Sequence, residues 1–277
     1  MTRLPDPASL LHGSGLPASS HLQRVLEAEA ARLAALPTPA PTRSPLTGPG
    51  PFEMALRRDA AARGGAVIAE YKQASPSLGP FAAGTPLLPQ LQAYRDGGAS
   101  AFSILAEPAY FRGTVAHLQA ASALGLPRLY KGFVISEAQL AEAEAAGAEA
   151  VLLIARVLKA HTAGFAEAAR ARGLEPLVEL HNLTEVPFAQ AAGARLLGIN
   201  ARDLSTFTLG APSAASLREA FPQAVLIRES GLATPEAAQQ ALRAGFDAVL
   251  IGEALMRSPD PRGFLTRTLA DLRGDAP

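Results

Sequence analysis

The chain has 277 residues, near the ~250 typical of one eightfold β/α barrel, and its 48% apolar against 18% charged residues exclude global disorder. Lys plus Arg and Asp plus Glu stand at 25 each, so no overall field draws the chain to nucleic acid or to an anionic membrane. With no cysteine, no metal-ligand spacing among His12, His21, His117, His161 and His181, and no apolar run of the ~18 residues a membrane span needs, the expectation is a metal-free protein of the reducing cytoplasm.

Residues 1–19, rich in Pro, Gly and Ser, read as a loose leader. From Ser20, a candidate N-cap, Leu22, Val25, Leu26, Ala30 and Leu33 recur at helical spacing and form one apolar stripe. The Pro-rich run 37–51 reads as an extended spacer, and a second helix over 52–63 leads into the main body. Residues 20–65 are thus a helical extension that leads into a barrel formed by 66–277. Short aliphatic strands alternate with Ala/Leu/Glu-rich helices, which is the pattern of a parallel sheet. The strands fall near 66–71, 100–105, 127–132, 149–154, 175–180, 195–200, 224–229 and 247–252. Eight such units predict an α/β fold, a single (β/α)8 TIM barrel with an N-terminal helical extension, although an open doubly wound sheet shares the same periodicity. Gly97-Gly98, Gly147, Gly193 and Gly245, before strands two, four, six and eight, suggest a repeat at every second unit. Aromatics are only 5% and Trp is absent, so the core must be aliphatic.

Side chains alternate along a strand, so Glu70 and Lys72 project to one side and Tyr71 to the other. The same alternation selects Lys131 on strand three, Glu179 on strand five and Glu229 on strand seven. Alternate strands fill one layer of a barrel, so these groups should converge at its C-terminal mouth. One charge at a strand end is ordinary; three acids and two lysines in one layer are not, because a structural layer would use Val or Leu. At an effective dielectric of about 20, charges ~4 Å apart interact by about 4 kcal/mol, enough to separate pKa values and provide both an acid and a base.

Glycine after strands seven and eight, in Ser230-Gly231 and Gly252-Glu253-Ala254, points to the usual barrel phosphate site, with Arg202 beyond Asn200 as an added charge. Ser75-Pro76-Ser77-Leu78-Gly79 opens a Pro/Gly loop placed to act as a lid, and Glu107 follows strand two towards the same mouth. His181, Met256 and Phe111 read as structural.

With these residues in view, the chain resembles the indole-3-glycerol-phosphate synthase family from about residue 22 to residue 270. The resemblance is carried by Ile68-Ala69-Glu70-Tyr71-Lys72 with Ser75-Pro76-Ser77, Ser103-Ile104-Leu105-Ala106-Glu107, Pro176-Leu177-Val178-Glu179, Gly198-Ile199-Asn200-Ala201-Arg202, Glu229-Ser230-Gly231 and Gly252-Glu253-Ala254. It implies closure of 1-(2-carboxyphenylamino)-1-deoxyribulose 5-phosphate to indole-3-glycerol phosphate without a cofactor. It further implies Lys131 as general acid and Glu179 as its acid-base partner. Lys72 would act on the substrate carboxylate or in dehydration, tuned by Glu70, with Glu107, Asn200 and Glu229 as orienting groups. Ser230, Gly231, Gly252, Glu253 and Arg202 would hold phosphate, with Ser75 and Ser77 at the lid, and the helical extension 20–65 would join that lid as a cover over the mouth. Where the family usually has Asp after the catalytic lysine, this chain has Gly132, and Glu107 or Glu179 is expected to compensate. The rival phosphoribosylanthranilate isomerase reading needs a Cys/Asp pair that a chain without cysteine cannot supply. A silent phosphate-binding or partner-binding barrel is the rival outside the enzymes, and a monomer is the expected assembly.

Overall fold

The computed structural model describes residues 4–13, 15, 17, 20–34, 36–76, 79–82, 84–200 and 212–272. Eight parallel strands close on themselves: β1 (Ala66–Tyr71), β2 (Ala101–Leu105), β3 (Arg128–Lys131), β4 (Ala150–Ile154), β5 (Glu175–Leu180), β6 (Leu196–Asn200), β7 (Val225–Glu229) and β8 (Ala248–Ile251). Each pairs with its sequence neighbours, and β1 pairs with both β2 and β8, so the open-sheet alternative is excluded. The expected strands stand within one residue at either end. They are legible because both faces are buried, which demands continuous aliphatic runs bounded by polar turns.

The core is as aliphatic as the composition requires, with Val67, Ile68, Leu129, Val151, Leu177, Leu197, Ile227 and Val249 fully buried. Tyr71 points out of the barrel: its ring meets His117 edge to face and its hydroxyl donates to the Thr85 carbonyl at 2.6 Å. The glycine pattern needs correction. Gly98, Gly147, Gly193 and Gly245 do hold left-handed φ before even strands, but so do Gly64, Gly125 and Gly173 before β1, β3 and β5. The recurrence is helix termination in nearly every unit, where a residue without Cβ adopts φ > 0 at little cost.

Among the described residues, three helices precede the barrel: α1 (Pro7–Gly13), α2 (His21–Leu33) and α3 (Pro51–Arg63). Within the stretch read as a loose leader, α1 packs against α2 and buries Leu10. Helix α2 begins at Ser20, whose hydroxyl accepts from Gln23 N. The Pro-rich spacer is pinned rather than free. Glu144 accepts from Thr42 N, Thr42 Oγ1 and Arg43 N at 2.6, 2.7 and 2.9 Å, and buried Arg172 ties Glu144 to the Pro39 carbonyl. Helix α3 starts at Gly50, which has no side chain to cap it, and Glu175 at the foot of β5 does that work by accepting from Phe52 N and Glu53 N. Its apolar face, with Phe52 and Leu56, packs on β1, β2 and β7. Among the described residues no helix is long and apolar enough to cross a membrane.

Candidate active site

At the C-terminal ends of the strands lies a cavity of about 590 Å³. Strand alternation places the charged layer in it. Glu70 and Lys72 leave β1 on the same side, and their ion pair is 2.9 Å long. Lys131, at the end of β3, reaches Glu229 at the end of β7 at 3.1 Å and Glu70 at 3.5 Å. Ser103, opposite Glu70 in the β1–β2 register, donates to its Oε2 at 3.1 Å. Glu179 on β5 completes the ring and is buried. Glu70, Glu179 and Glu229 are exposed by 4%, 4% and 2%, so their charges act in a poorly screened interior.

Opposed forces separate these acids. Burial works to raise the Glu70 carboxyl, but Lys72 and Lys131 outweigh it and, with Ser103, hold the group at about 2. Glu229 goes the other way: burial pushes it far above the usual carboxylate range, Lys131 opposes this, and Glu179 beside it adds to the rise. Burial works against the Lys131 ammonium, yet Glu229, Glu70 and Glu179 together hold its pKa above the ordinary lysine value. The site therefore holds one firmly ionised carboxylate, one readily protonated carboxyl and one firmly charged ammonium, and among the described residues Glu229 Oε1 has no hydrogen-bond partner.

Two glycines create the room. A Cβ on Gly198 would collide with Glu229 Oε1, and one on Gly252 would collide with Glu70 Oε1 and lie 3.1 Å from Lys72 Nζ. Gly252 thus serves the charged layer as well as the rim where phosphate is expected. At that rim Ser230 adopts φ 63° and Gly231 φ 76°, and the Ser230 hydroxyl donates to Asn200 Oδ1 at 2.7 Å. A left-handed serine is uncommon and marks a backbone bent for a purpose. Gly252 precedes the short helix Glu253–Arg257, whose Glu253 carboxylate pairs with Arg257, leaving the backbone of that turn at the cavity.

Of the residues expected in the site, Glu70, Lys72, Ser75, Lys131, Glu179, Asn200, Glu229, Ser230, Gly231, Gly252 and Glu253 line this one cavity. Ser77 and Arg202 lie outside the described residues. Glu107 is a correction. Its carboxylate turns onto the helix Pro108–Phe111 and accepts from Ala109, Tyr110 and Phe111 N at 2.8, 2.8 and 3.0 Å, so it caps a helix instead of facing the mouth. It cannot stand in for the carboxylate missing at Gly132. Lys131 finds its acceptors in Glu229 and Glu70, while Glu179 acts on it from farther away.

Several wall residues escaped the sequence reading. Phe111, read as structural, lines the cavity and packs on Phe133 with ring centroids 5.6 Å apart. Helix α2 contributes His21, Leu22 and Val25 to the same wall, and His181 follows Glu179 into it. The helical stripe announced that α2 docks somewhere; no local signal said where. Among the described residues no cluster of His, Cys, Asp and Glu could hold a metal ion.

A family model described as indole-3-glycerol phosphate synthase matches residues 23–268. A protein of that name from Lactiplantibacillus plantarum is 42% identical over 211 residues, covering 75% of this chain and 81% of that protein. Another from Chloroherpeton thalassium is 42% identical over 216 residues, covering 77% and 83%. Among solved structures, the thiamine phosphate pyrophosphorylase of Pyrococcus furiosus superposes with a TM-score of 0.52 at 13% identity, over 77% of this chain and 98% of that one, a likeness of fold alone.

Proposed function

The chain belongs to the indole-3-glycerol phosphate synthase family of tryptophan biosynthesis, and we propose that its cavity closes 1-(2-carboxyphenylamino)-1-deoxyribulose 5-phosphate to indole-3-glycerol phosphate by the division of labour below. The carrying observation is the convergence of Lys72 and Lys131 on Glu70, with Glu229 and Glu179 alongside, in one buried layer of the barrel mouth.

The ring carbon bearing the carboxylate attacks the ketone carbon, and the carbonyl oxygen must gain a proton as the bond forms. Lys131 supplies it: its ammonium is kept charged by Glu229 and Glu70, and one proton moves to the oxygen at the moment negative charge develops there. Carbon dioxide then leaves, and its bonding electrons restore the aromatic ring. Lys72, paired to Glu70, holds the substrate carboxylate before that step. Dehydration needs a second proton on the new hydroxyl and removal of one from the adjacent carbon; Lys72, released once the carboxylate has left as carbon dioxide, and Glu179 are the acid and base placed for it. Two protons are delivered and one is recovered, which matches consumption of one proton when a carboxylate leaves as carbon dioxide and a hydroxyl as water.

Ser230 orients Asn200 towards the substrate hydroxyls, and the backbone at Gly231, Gly252 and Glu253 receives the phosphate, with Arg202 adding charge and Ser75 and Ser77 closing the lid. The apolar walls, Phe111, Phe133, Leu152 and Ile154, suit an anthranilate ring. A cytoplasmic monomer is the working form we propose. The test is incubation with the carboxyphenylamino-deoxyribulose phosphate while following indole fluorescence, beside its dephosphorylated analogue. Product from the first at far lower KM than from the second is expected; binding without product would favour a silent barrel.

A further inference from the structure

His181 is buried beside the reaction layer without a role in the scheme above. It directly follows β5, its side chain is 6% exposed, and it lines the cavity. Its Nε2 lies 3.5 Å from Glu179 Oε1, and its Nδ1 faces Glu185 Oε2 at 3.8 Å with no hydrogen-bond partner among the described residues. Glu185 is fixed from behind. Its Oε2 accepts from His181 N at 2.8 Å and its Oε1 from Asn182 Nδ2 at 3.0 Å, within a tight turn that Asn182 itself caps at Thr184 N. The imidazole thus stands between an acid built into the turn and the acid proposed to work on substrate.

Packing alone does not explain such a ring. Burial disfavours its charged form, and an apolar side chain would fill the space without that cost. The groups facing it are Glu179, Glu185 and Arg156, the last on the short helix Ala155–Leu158 after β4. Burial and Arg156 oppose the imidazolium, yet the two carboxylates prevail and its pKa lies above the ordinary histidine value. A carboxylate behind an imidazole fixes ring orientation and supports its charge, as buried His–acid pairs do elsewhere.

We propose that His181 is a positioning residue: oriented by Glu185, its ring holds the Glu179 carboxylate aimed into the cavity. This rests on the reading of Glu179 as an acid-base group. A cation beside a carboxylate favours the ionised form, so removing it makes the base easier to protonate and moves the acid limb of the kcat profile to higher pH.

The experiment compares His181→Gln, Glu179→Gln and the double variant across pH 5 to 9. For His181→Gln, kcat is expected to fall about 10- to 100-fold, KM to move less than about threefold, and the acid limb to rise by about one pH unit. The double variant should lose little beyond Glu179→Gln, because the histidine acts through that carboxylate. Full activity of Glu179→Gln would overturn the reading of Glu179 itself. An inactive Glu179→Gln beside a His181→Gln enzyme with the parent's kcat and acid limb would overturn only the role of His181. Histidine-labelled NMR titration of the unsubstituted protein decides the matter if His181→Gln does not fold: a ring titrating above the ordinary value, and lower in Glu185→Gln, supports the proposal, and one neutral by pH 6 overturns it.

Discussion

Replacing Gly132 by Asp, which would restore the residue the family usually carries, should damage this enzyme. A Cβ at position 132 would lie 2.6 Å from Tyr130 Cε1, 3.3 Å from Cζ and 3.4 Å from Cδ1, where carbon atoms normally sit about 3.5–4.0 Å apart. The ring cannot easily yield. Tyr130 is 1% exposed, and its hydroxyl donates to Glu142 Oε2 at 2.8 Å. Glu142 is itself held by Arg32 of α2 at 2.9 Å, so the helix covering the mouth is tied to the same ring. Overpacking of this kind costs about 1–3 kcal/mol, and at about 2–4 °C per kcal/mol for a domain of this size the melting temperature should drop by several degrees. Because Gly132 follows Lys131 directly, a backbone shift near 1 Å displaces the ammonium and costs about 100-fold in kcat. Calorimetry and indole fluorescence on Gly132→Asp, Tyr130→Leu and the double variant measure this. Tyr130→Leu should return part of what Gly132→Asp removes, as contacting residues do in double-mutant cycles. A Gly132→Asp enzyme that is orders of magnitude faster, with unchanged melting temperature, would refute the reasoning and mean that the natural protein is impaired at this position.

Gly198→Ala should push Glu229 off Lys131, since its Cβ would collide with Glu229 Oε1 and lie 2.9 Å from Leu177 Cδ2; we expect kcat to fall at least about 10-fold, read by steady-state kinetics, with the fold intact by circular dichroism. Glu70, held at about 2 against an ordinary value of 4.5, contributes about 3 kcal/mol of stability, fully present above pH 4.5 and lost as the pH falls through about 2. The difference in urea-unfolding free energy between the parent and Glu70→Gln should therefore shrink from pH 6 to pH 2.5; a constant difference would count against the ion pairs. Glu144→Ala leaves buried Arg172 without its innermost partner and removes the acceptor of Thr42 N, Thr42 Oγ1 and Arg43 N. A loss of about 3–5 kcal/mol and faster proteolysis within residues 36–49 are expected in thermal melts and limited digestion.

The barrel was readable because each strand must be apolar on both faces and each helix must end before the next strand begins. The charged layer was readable for a related reason: alternation by two from Glu70, Lys131, Glu179 and Glu229 needs no knowledge of loops. The rule still holds one step past the strand, at Lys72, and fails at the second. Glu107 stands two residues beyond β2, where the unpaired N–H groups of the next helix decide its direction. His181, one residue beyond β5, obeys the alternation and faces the cavity beside Glu179, but its place past the strand end made it read as structural. Ser103 lay within reach of alternation, being the register partner of Glu70, but a search restricted to ionisable groups passes over a serine. The pinning of the spacer by Glu144 and Arg172, and the seat of α2 over the mouth, depend on contacts spanning a hundred residues or more and leave no local trace. The glycine recurrence taught the opposite lesson, for a pattern that suggested a twofold repeat proved to be ordinary helix termination.

In the ring closure proposed for this site, Lys131, held charged by Glu229 and Glu70, protonates the carbonyl. Single-turnover indole formation by the parent and by Lys131→Met, with substrate binding measured in parallel, tests it most directly. Lys131→Met is expected to bind substrate within a few-fold of the parent and to form indole at least about 1,000-fold more slowly. Ring closure by Lys131→Met at the parent's rate would contradict it.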